Sequence, residues 1–195
     1  MIRIYLTLVD LVPSAVVLVP LFLILNYTVF RRDLCKSFLY MLFCLYLCSI
    51  FILVGIPNVR YFRLDINWNL IPFRGMIVDF KNSILNIILF VPLGFVLPVL
   101  WKRFRKLQST VLFGFSFSLT IELLQMLTYR ATDVNDLITN TLGTACGFQL
   151  AKTLAKRYSP IGKGNGDVYL LWALSFCVVF FLHPFLSPLI WDRLL

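Results

Sequence analysis

Long apolar runs, rather than alternating apolar and polar residues, dominate the pattern of the chain. Several of these runs reach the roughly 20 residues that an α-helix needs to cross the hydrocarbon core of a bilayer. Because lipid offers no partner to unpaired backbone groups, only α-helices or a closed β-barrel can span a membrane. Barrel strands would alternate with a period of two residues, which these runs do not. The pattern therefore predicts an all-α fold, a polytopic membrane helix bundle.

We predict about six transmembrane helices in a single transmembrane domain that covers residues 1–195. The fifth segment is the least hydrophobic, and hydropathy alone can miss it. It begins inside the polar stretch "RATDVNDLITNTLG", residues 130–143. The predicted spans are about 5–30, 37–56, 83–101, 109–129, 133–154 and 168–190.

The basic residues predict the orientation of these helices. The chain has 18 Lys and Arg residues and a formal net charge of +9. More than half of these basic residues lie in the loops between segments one and two, three and four, and five and six. By the positive-inside rule these loops are cytoplasmic, so both termini lie outside. Because the basic residues flank apolar segments and form no stripe with interleaved aromatic residues, they predict membrane lipids as partners and no nucleic acid.

The cysteines do not indicate a metal site or a disulfide framework. The chain has five Cys and one His, and it contains no C-x-x-C motif. Four of the five Cys lie inside apolar runs, where a thiol behaves as a small hydrophobic group. We predict no bound metal on cysteine and no cofactor.

Polar side chains recur at helical spacing within the apolar segments. In the fourth segment Ser118, Glu122 and Gln125 are four and then three residues apart, so they share one helix face. An ionisable residue such as Glu122 is costly inside a membrane and usually faces a bundle interior or a wet cavity.

The fifth segment has a similar stripe. Asp133, Asp136 and Asn140 follow one another at spacings of three and four, and Gly143 and Gly147 continue the same stripe. The two glycines allow another helix to approach closely, so they predict packing rather than chemistry.

With the predicted topology, these polar groups occupy the outer halves of the third, fourth and fifth helices. Asn86 contributes from the third helix, and Arg130 lies at the same level just before the fifth. We predict that they converge on an outward-facing polar pocket. The predicted ligand-binding residues are Arg130, Asn86, Glu122, Gln125, Asp133, Asp136 and Asn140.

Structural roles are also open for these residues. Asp133 is a favourable helix N-cap, and Asp136 suits the positive end of the same helix. Asn140 lies one helical turn further along the segment, too far from its start to serve as an N-cap or to interact with the positive end of the helix. Asn86 and Asn140 can also form interhelical hydrogen bonds worth about 1 kcal/mol each.

Three further ionisable side chains have simpler interpretations. Glu122 can be a protonated structural residue, or it can pair with Arg130. His183 has no acidic or Cys neighbours in the sequence, and we interpret it as structural. Asp10, in the first segment, either joins the outer cluster or lies at the membrane interface.

Four motifs follow one another between the second and fifth helices: "NLIPF" (69–73), "NIILFVPLGFVLP" (86–98), "IELLQ" (121–125) and "RATDVNDLITNTLGTACG" (130–147). With these motifs the chain resembles the VanZ-like family of bacterial membrane proteins over about residues 67–150. The positions that match the family pattern are Asn86, Pro92, Gly94, Glu122, Gln125, Arg130, Asp133, Asp136, Asn140 and Gly143.

The resemblance implies a multi-pass protein of the bacterial cytoplasmic membrane with a role at the cell envelope. The VanZ-like family is associated with lowered sensitivity to glycopeptide antibiotics, especially teicoplanin. Combined with the predicted pocket, it favours binding of an anionic ligand, either a lipid-linked envelope precursor or a lipoglycopeptide. Arg130 would contact its phosphate or carboxylate, because a guanidinium binds such groups through two parallel hydrogen bonds.

Two other functions remain open. The first is a membrane-embedded enzyme that acts on a lipid-linked envelope intermediate. Glu122 would be its general acid or base, and Asp133 and Asp136, the other catalytic candidates, would hold Mg²⁺. However, D-x-x-D at a helix start is a weak signal. The second is a lipid or antibiotic transporter or flippase. The short length of the chain and the lack of an internal repeat argue against this function.

Overall fold

The structure is a computed structural model that describes residues 2–30, 32–60, 68–69, 71–73, 79–128, 132–157, 159–162 and 166–194. Most of these residues are helical, which confirms the predicted all-α fold. The helices are α1 (Ile2–Thr28), α2 (Leu34–Val54), α3 (Phe80–Leu100), α4 (Leu107–Gln125), α5 (Val134–Arg157), α6 (Asp167–Cys177) and α7 (His183–Leu194). The remaining elements are a 3-10 turn (Lys102–Arg105), a π-helical segment (Val178–Leu182), and two short strands, β1 (Trp68–Asn69) and β2 (Thr132–Asp133).

Among the described residues, five helices are long and apolar enough to cross a membrane. They are α1, α2, α3, α4 and the continuous stretch from α6 through the π-helical segment into α7, with mean hydropathies between 1.4 and 2.4. As expected from its polar start and basic end, α5 is not among them. Its 24 residues nevertheless give a length of about 36 Å at 1.5 Å per residue, enough to span a core of about 30 Å. The predicted orientation stays a prediction.

The described helices form two compact units. The first unit contains α1, α2, α6, the π-helical segment and α7, and the second contains β1, α3, α4, β2 and α5. In the second unit the most extensive contact is between α3 and α5.

Glycines bring the backbones of α3 and α5 together. A Cβ atom on Gly143 would clash with the carbonyl oxygen of Ile87, and one on Gly147 with the carbonyl oxygen of Val91. From the other side, Gly94 of α3 faces the backbone of α5 in the same way. The close approach that the sequence predicted for Gly143 and Gly147 is thus confirmed.

The first unit is joined by polar contacts at its helix ends. The Tyr40 hydroxyl of α2 donates to Asp167 Oδ2 at the start of α6, at 2.7 Å. Lys36 Nζ lies 3.5 Å from the same carboxylate oxygen. These contacts fix α2 to α6 at the end where the short connection from α1 enters α2.

Asp10, whose role the sequence left undecided, lies in the first unit and bonds to α7. Its carboxylate Oδ1 accepts a hydrogen bond from Trp191 Nε1 at 2.9 Å. His183 Nε2 donates to the Asp10 backbone carbonyl at 2.8 Å, which agrees with a structural interpretation of His183. The π-helical segment that precedes His183 was not predicted, and its Phe180 carbonyl accepts from the backbone N–H of Val59 at 3.1 Å.

Candidate functional site

Carboxylate and amide side chains gather where α3 begins, α4 ends and α5 begins. They lie beside the described part of the connection that precedes α3. We call this group the acid–amide cluster. Its members are Asn69, Asn86, Glu122, Asp133, Asn135 and Asp136.

Asp133 is at the centre of the cluster. Its backbone N–H donates to Glu122 Oε2 at 2.9 Å, and Glu122 is only 3% exposed. Its side-chain Oδ1 accepts from the backbone N–H of Asn135 at 2.8 Å, which is the N-cap interaction predicted for Asp133. Its other oxygen, Oδ2, accepts from Asn69 Nδ2 at 3.1 Å. One residue therefore joins α4, the start of α5 and the connection before α3.

The connection before α3 is held against α5 by backbone contacts as well. Strands β1 and β2 pair in parallel, with Asn69 opposite Asp133. The backbone N–H of Phe73 donates to Asn135 Oδ1 at 2.7 Å. Phe73 has a φ of 64°, in the left-handed region that bulky residues rarely adopt. Such strained residues cluster at functional sites, where the surrounding structure holds them in place.

The sequence analysis missed two members of the cluster. Asn69 was noted only as part of a family motif, and Asn135 lies between the two acids of the predicted stripe, off its face. Asn135 is nevertheless buried, because its amide oxygen binds the connection before α3. The only sequence signal for Asn135 was its position inside the polar stretch that begins α5.

Asn86 links α3 to α5. Its Nδ2 donates to Asp136 Oδ1 at 2.8 Å, and both side chains are partly buried. One turn earlier, Asn82 donates to Asp79 Oδ1 at 2.7 Å, but this pair is exposed and lies within the first turn of α3. Two similar amide–carboxylate pairs on one helix thus have different roles, one between helices and one local.

Asn140 and Ser118 lie deeper between α4 and α5. Asn140 Nδ2 donates to Ser118 Oγ at 2.9 Å, and Asn140 is only 3% exposed. Asn140 Oδ1 is buried without a hydrogen-bond partner among the described residues. Asn86 and Asn140 therefore form the interhelical hydrogen bonds that the sequence left open as one of their roles.

Two further residues complete the predicted binding set, Gln125 and Arg130. Gln125 is buried on α4, one turn after Glu122. Arg130 lies outside the described residues, between the end of α4 and β2. The structure therefore brings together Asn86, Glu122, Asp133 and Asp136 of the predicted set. Their role in binding a ligand stays a prediction.

The described cluster is acidic. Asp133 and Asp136 are both close enough to Glu122 for their charges to act on it. No group of three or more His, Cys, Asp or Glu side chains suited to a metal ion occurs within the described ranges. Both oxygens of Asp133 and one oxygen of Asp136 already accept hydrogen bonds from protein groups. Asp133 and Asp136 are therefore poorly suited to hold the Mg²⁺ ion that the enzyme interpretation assigned to them.

These features define a multi-pass helical membrane protein whose three-helix unit contains a partly buried network of acids and amides. Comparison with known proteins gives its family. The family model described as VanZ/LLP1 matches residues 37–155, more than half of the chain, and the chain belongs to this family. The matched region includes every member of the acid–amide cluster.

A relative is similar to part of the chain. The chain is similar to Protein VanZ from Enterococcus faecium, with 39% identity over 83 residues. The match covers 42% of this chain and 50% of the relative, so the chain spans about half the length of the relative that it matches. No solved structure matches the chain.

Proposed function

We propose that this chain is a protein of the bacterial cytoplasmic membrane that lowers sensitivity to the glycopeptide teicoplanin. In this proposal the outer end of the three-helix unit binds the polar part of a lipoglycopeptide or of an anionic, lipid-linked envelope precursor. The observation that supports it best is the hydrogen-bond network that Asp133 forms with Glu122, Asn69 and Asn135. It arranges polar groups from three separate parts of the chain at one end of otherwise apolar helices.

The arrangement of this network favours binding over a purely structural role. Interhelical hydrogen bonds between uncharged side chains would suffice to hold helices together. Here the carboxyl groups of Glu122, Asp133 and Asp136 belong to one partly buried cluster, and burying a carboxyl group costs free energy through loss of hydration. The strained backbone of Phe73 beside the cluster adds a further cost. Costs of this kind are characteristic of functional sites rather than of simple packing.

An anionic ligand requires positive charge beside these acids. We assign that role to Arg130, three residues before Asp133 in the sequence, with Lys81 as a second cation. Lys81 is exposed on the first turn of α3. The acid–amide cluster then fixes the backbone on either side of the ligand, while Asn86 and Gln125 hydrogen-bond its uncharged polar groups. The acyl or isoprenoid tail of the ligand would remain in the surrounding lipid.

The test compares two similar pairs on α3. Asn86→Leu removes the bond to Asp136, whereas Asn82→Leu removes the exposed, local bond to Asp79. Each variant is expressed in a glycopeptide-susceptible Gram-positive host, and the minimal inhibitory concentration of teicoplanin is measured. We expect Asn86→Leu to bring resistance to the level of the empty host and Asn82→Leu to leave it unchanged. Immunoblots of membrane fractions confirm that both variants are inserted.

Arg130 is tested in the same assay. Arg130→Ala is expected to abolish resistance, and Arg130→Lys to retain only part of it, because lysine lacks the planar pair of donors. Retention of full resistance by Asn86→Leu and Arg130→Ala together would show that the cluster is structural. Binding of fluorescently labelled teicoplanin to the purified protein in nanodiscs then distinguishes direct binding from an indirect effect.

A further inference from the structure

The first unit contains a groove between α1 and α2 that the proposed function does not use. It has a volume of about 390 Å³, within the roughly 300–1,000 Å³ typical of small-molecule sites. Its walls are mostly apolar and include Val19 and Leu23 of α1, and Phe38 and Met41 of α2. Both helices are long and apolar enough to cross a membrane, so lipid tails are the natural contents of this groove.

One polar residue, Asn26, lines the groove near the end of α1. It is 5% exposed, and its Oδ1 has no hydrogen-bond partner among the described residues. A buried amide without a partner costs free energy in an apolar environment. Since the amide can rotate about its last bond, either its donor end or its acceptor end can face the groove. Asn26 thus marks the end of the groove where a polar group of a ligand would be bound.

The backbone of a basic residue, Arg32, is bonded to that of Asn26 at this polar end. The backbone N–H of Arg32 donates to the Asn26 carbonyl at 2.8 Å, and the Arg32 guanidinium lies over the Tyr27 ring at 5.5 Å. Two other described charges nearby are engaged elsewhere: Lys36 pairs with Asp167, and the Asp33 side chain caps α2. Arg32 is exposed and has no carboxylate partner among the described residues. Basic residues next to a groove between membrane helices are typical of sites for anionic lipid headgroups.

We propose that this groove binds one anionic phospholipid, with phosphatidylglycerol as the representative ligand. One acyl chain lies along Val19, Leu23 and Phe38. The headgroup lies at the polar end, where the Asn26 amide hydrogen-bonds its phosphate or hydroxyl oxygens and Arg32 neutralises its charge. This site belongs to α1 and α2, shares no residue with the acid–amide cluster, and is independent of the proposed function.

Native mass spectrometry of the full chain in detergent tests the proposal directly. The protein is titrated with phosphatidylglycerol and with phosphatidylcholine of identical acyl chains. We expect one phosphatidylglycerol to bind with roughly fivefold preference, the factor expected from one arginine beside an anionic headgroup. Arg32→Gln should remove the preference for charge, while Asn26→Leu should weaken binding of both headgroups. Thr28→Val is the matched control, because Thr28 lies on the last turn of α1 and donates only to its own helix at Ile24.

A second measurement separates a binding role of Asn26 from a structural one. Without added lipid, Asn26→Leu should unfold at a higher temperature than the wild type, because it removes a buried, unpaired polar group. With phosphatidylglycerol, the wild type should gain more thermal stability than the variant. Equal binding of the two lipids by the wild type would overturn the proposal, and so would unchanged preference in Arg32→Gln and unchanged binding in Asn26→Leu. A dimer that Leu23→Trp abolishes would also overturn it, since the groove would then bind a second copy of the chain.

Discussion

In the unit of α3, α4 and α5, glycines bring backbones together and side-chain amides bond across helices. Buried aromatic rings occur in both units, for example Phe90 against Phe117 in this one, but in the unit of α1, α2 and α6–α7 they are accompanied by buried thiols. Cys44 and Cys48 of α2 bond only weakly, through sulfur, to carbonyls of α6 at 3.7 and 3.8 Å. Phe51 packs edge-on against Phe176 with ring centroids 6.1 Å apart.

The difference shows two ways of holding helices together in lipid, where apolar contact alone gives little preference for a partner. Aromatic rings and sulfur adapt to their neighbours, so such an interior tolerates changes of shape. Backbone contacts at glycine and buried amide bonds are specific, and a single substitution can remove them. We expect the second unit to be the more sensitive to substitution, and three measurements test this comparison.

The largest effect is expected for Gly147→Leu. Its side chain would meet the Val91 carbonyl of α3, which is backbone and cannot rotate away. Overpacking costs about 1–3 kcal/mol and occasionally more, and we expect the upper end of that range. Thermal unfolding in detergent measures it. Gly166→Ala is the control, since a Cβ there meets nothing within 4 Å, and it should change stability by less than about 0.5 kcal/mol. Similar stabilities of the two variants would show that close backbone contacts at glycine do not make the second unit more sensitive to substitution.

A smaller effect is expected from the bond between Asn140 and Ser118. A double-mutant cycle with Asn140→Leu and Ser118→Ala isolates their interaction, which we expect at about 1 kcal/mol, within the range for hydrogen bonds between membrane helices. Unfolding by a denaturing detergent gives the four free energies. A coupling indistinguishable from zero would mean that hydrogen bonds of side-chain amides do not stabilise the contacts between helices in the second unit.

The smallest effect is expected for the equivalent cycle in the first unit, with Cys48→Ala and Ser175→Ala. The Cys48 thiol donates to the backbone carbonyl of Ser175, which alanine retains, so the coupling should stay below about 0.5 kcal/mol. The same unfolding assay applies. A coupling as large as that of Asn140 and Ser118 would show that both units depend on specific polar contacts.

Much of the fold was predictable because membrane helices depend on length and apolarity, which are visible in the sequence. The predicted third span, 83–101, corresponds to α3, which the structure places at Phe80–Leu100. The fifth helix was predicted from its polar stripe and glycines despite its low hydropathy, and α5 runs from Val134 to Arg157. The π-helical segment was not predicted, because its apolar sequence carries no signal that distinguishes it from an α-helix; its Phe180 carbonyl accepts from Val59, far away in sequence.

The candidate site was predictable in part, for a related reason. Residues that repeat at helical spacing must share a face, so Glu122, Asp136 and Asn140 could be placed toward neighbouring helices. Asn69 and Asn135 act through the connection before α3, whose sequence has no periodic pattern. Strands β1 and β2 are only two residues long, which is too short for an alternating sequence pattern to be recognised. The sequence therefore indicated which helix faces meet and left the contacts of the connection undetermined.

The polar face of α5 has a consequence for how the chain enters the membrane. A segment with this many polar residues leaves water only when other helices cover them. By the time α5 is synthesised, α3 and α4 have already been made, and they carry Asn86, Ser118 and Glu122, the side chains that bond to α5 or to the residue preceding it. We therefore expect insertion of α5 to be coupled to assembly of its unit. The polar groups proposed to bind a ligand would then also contribute to the biogenesis of the protein.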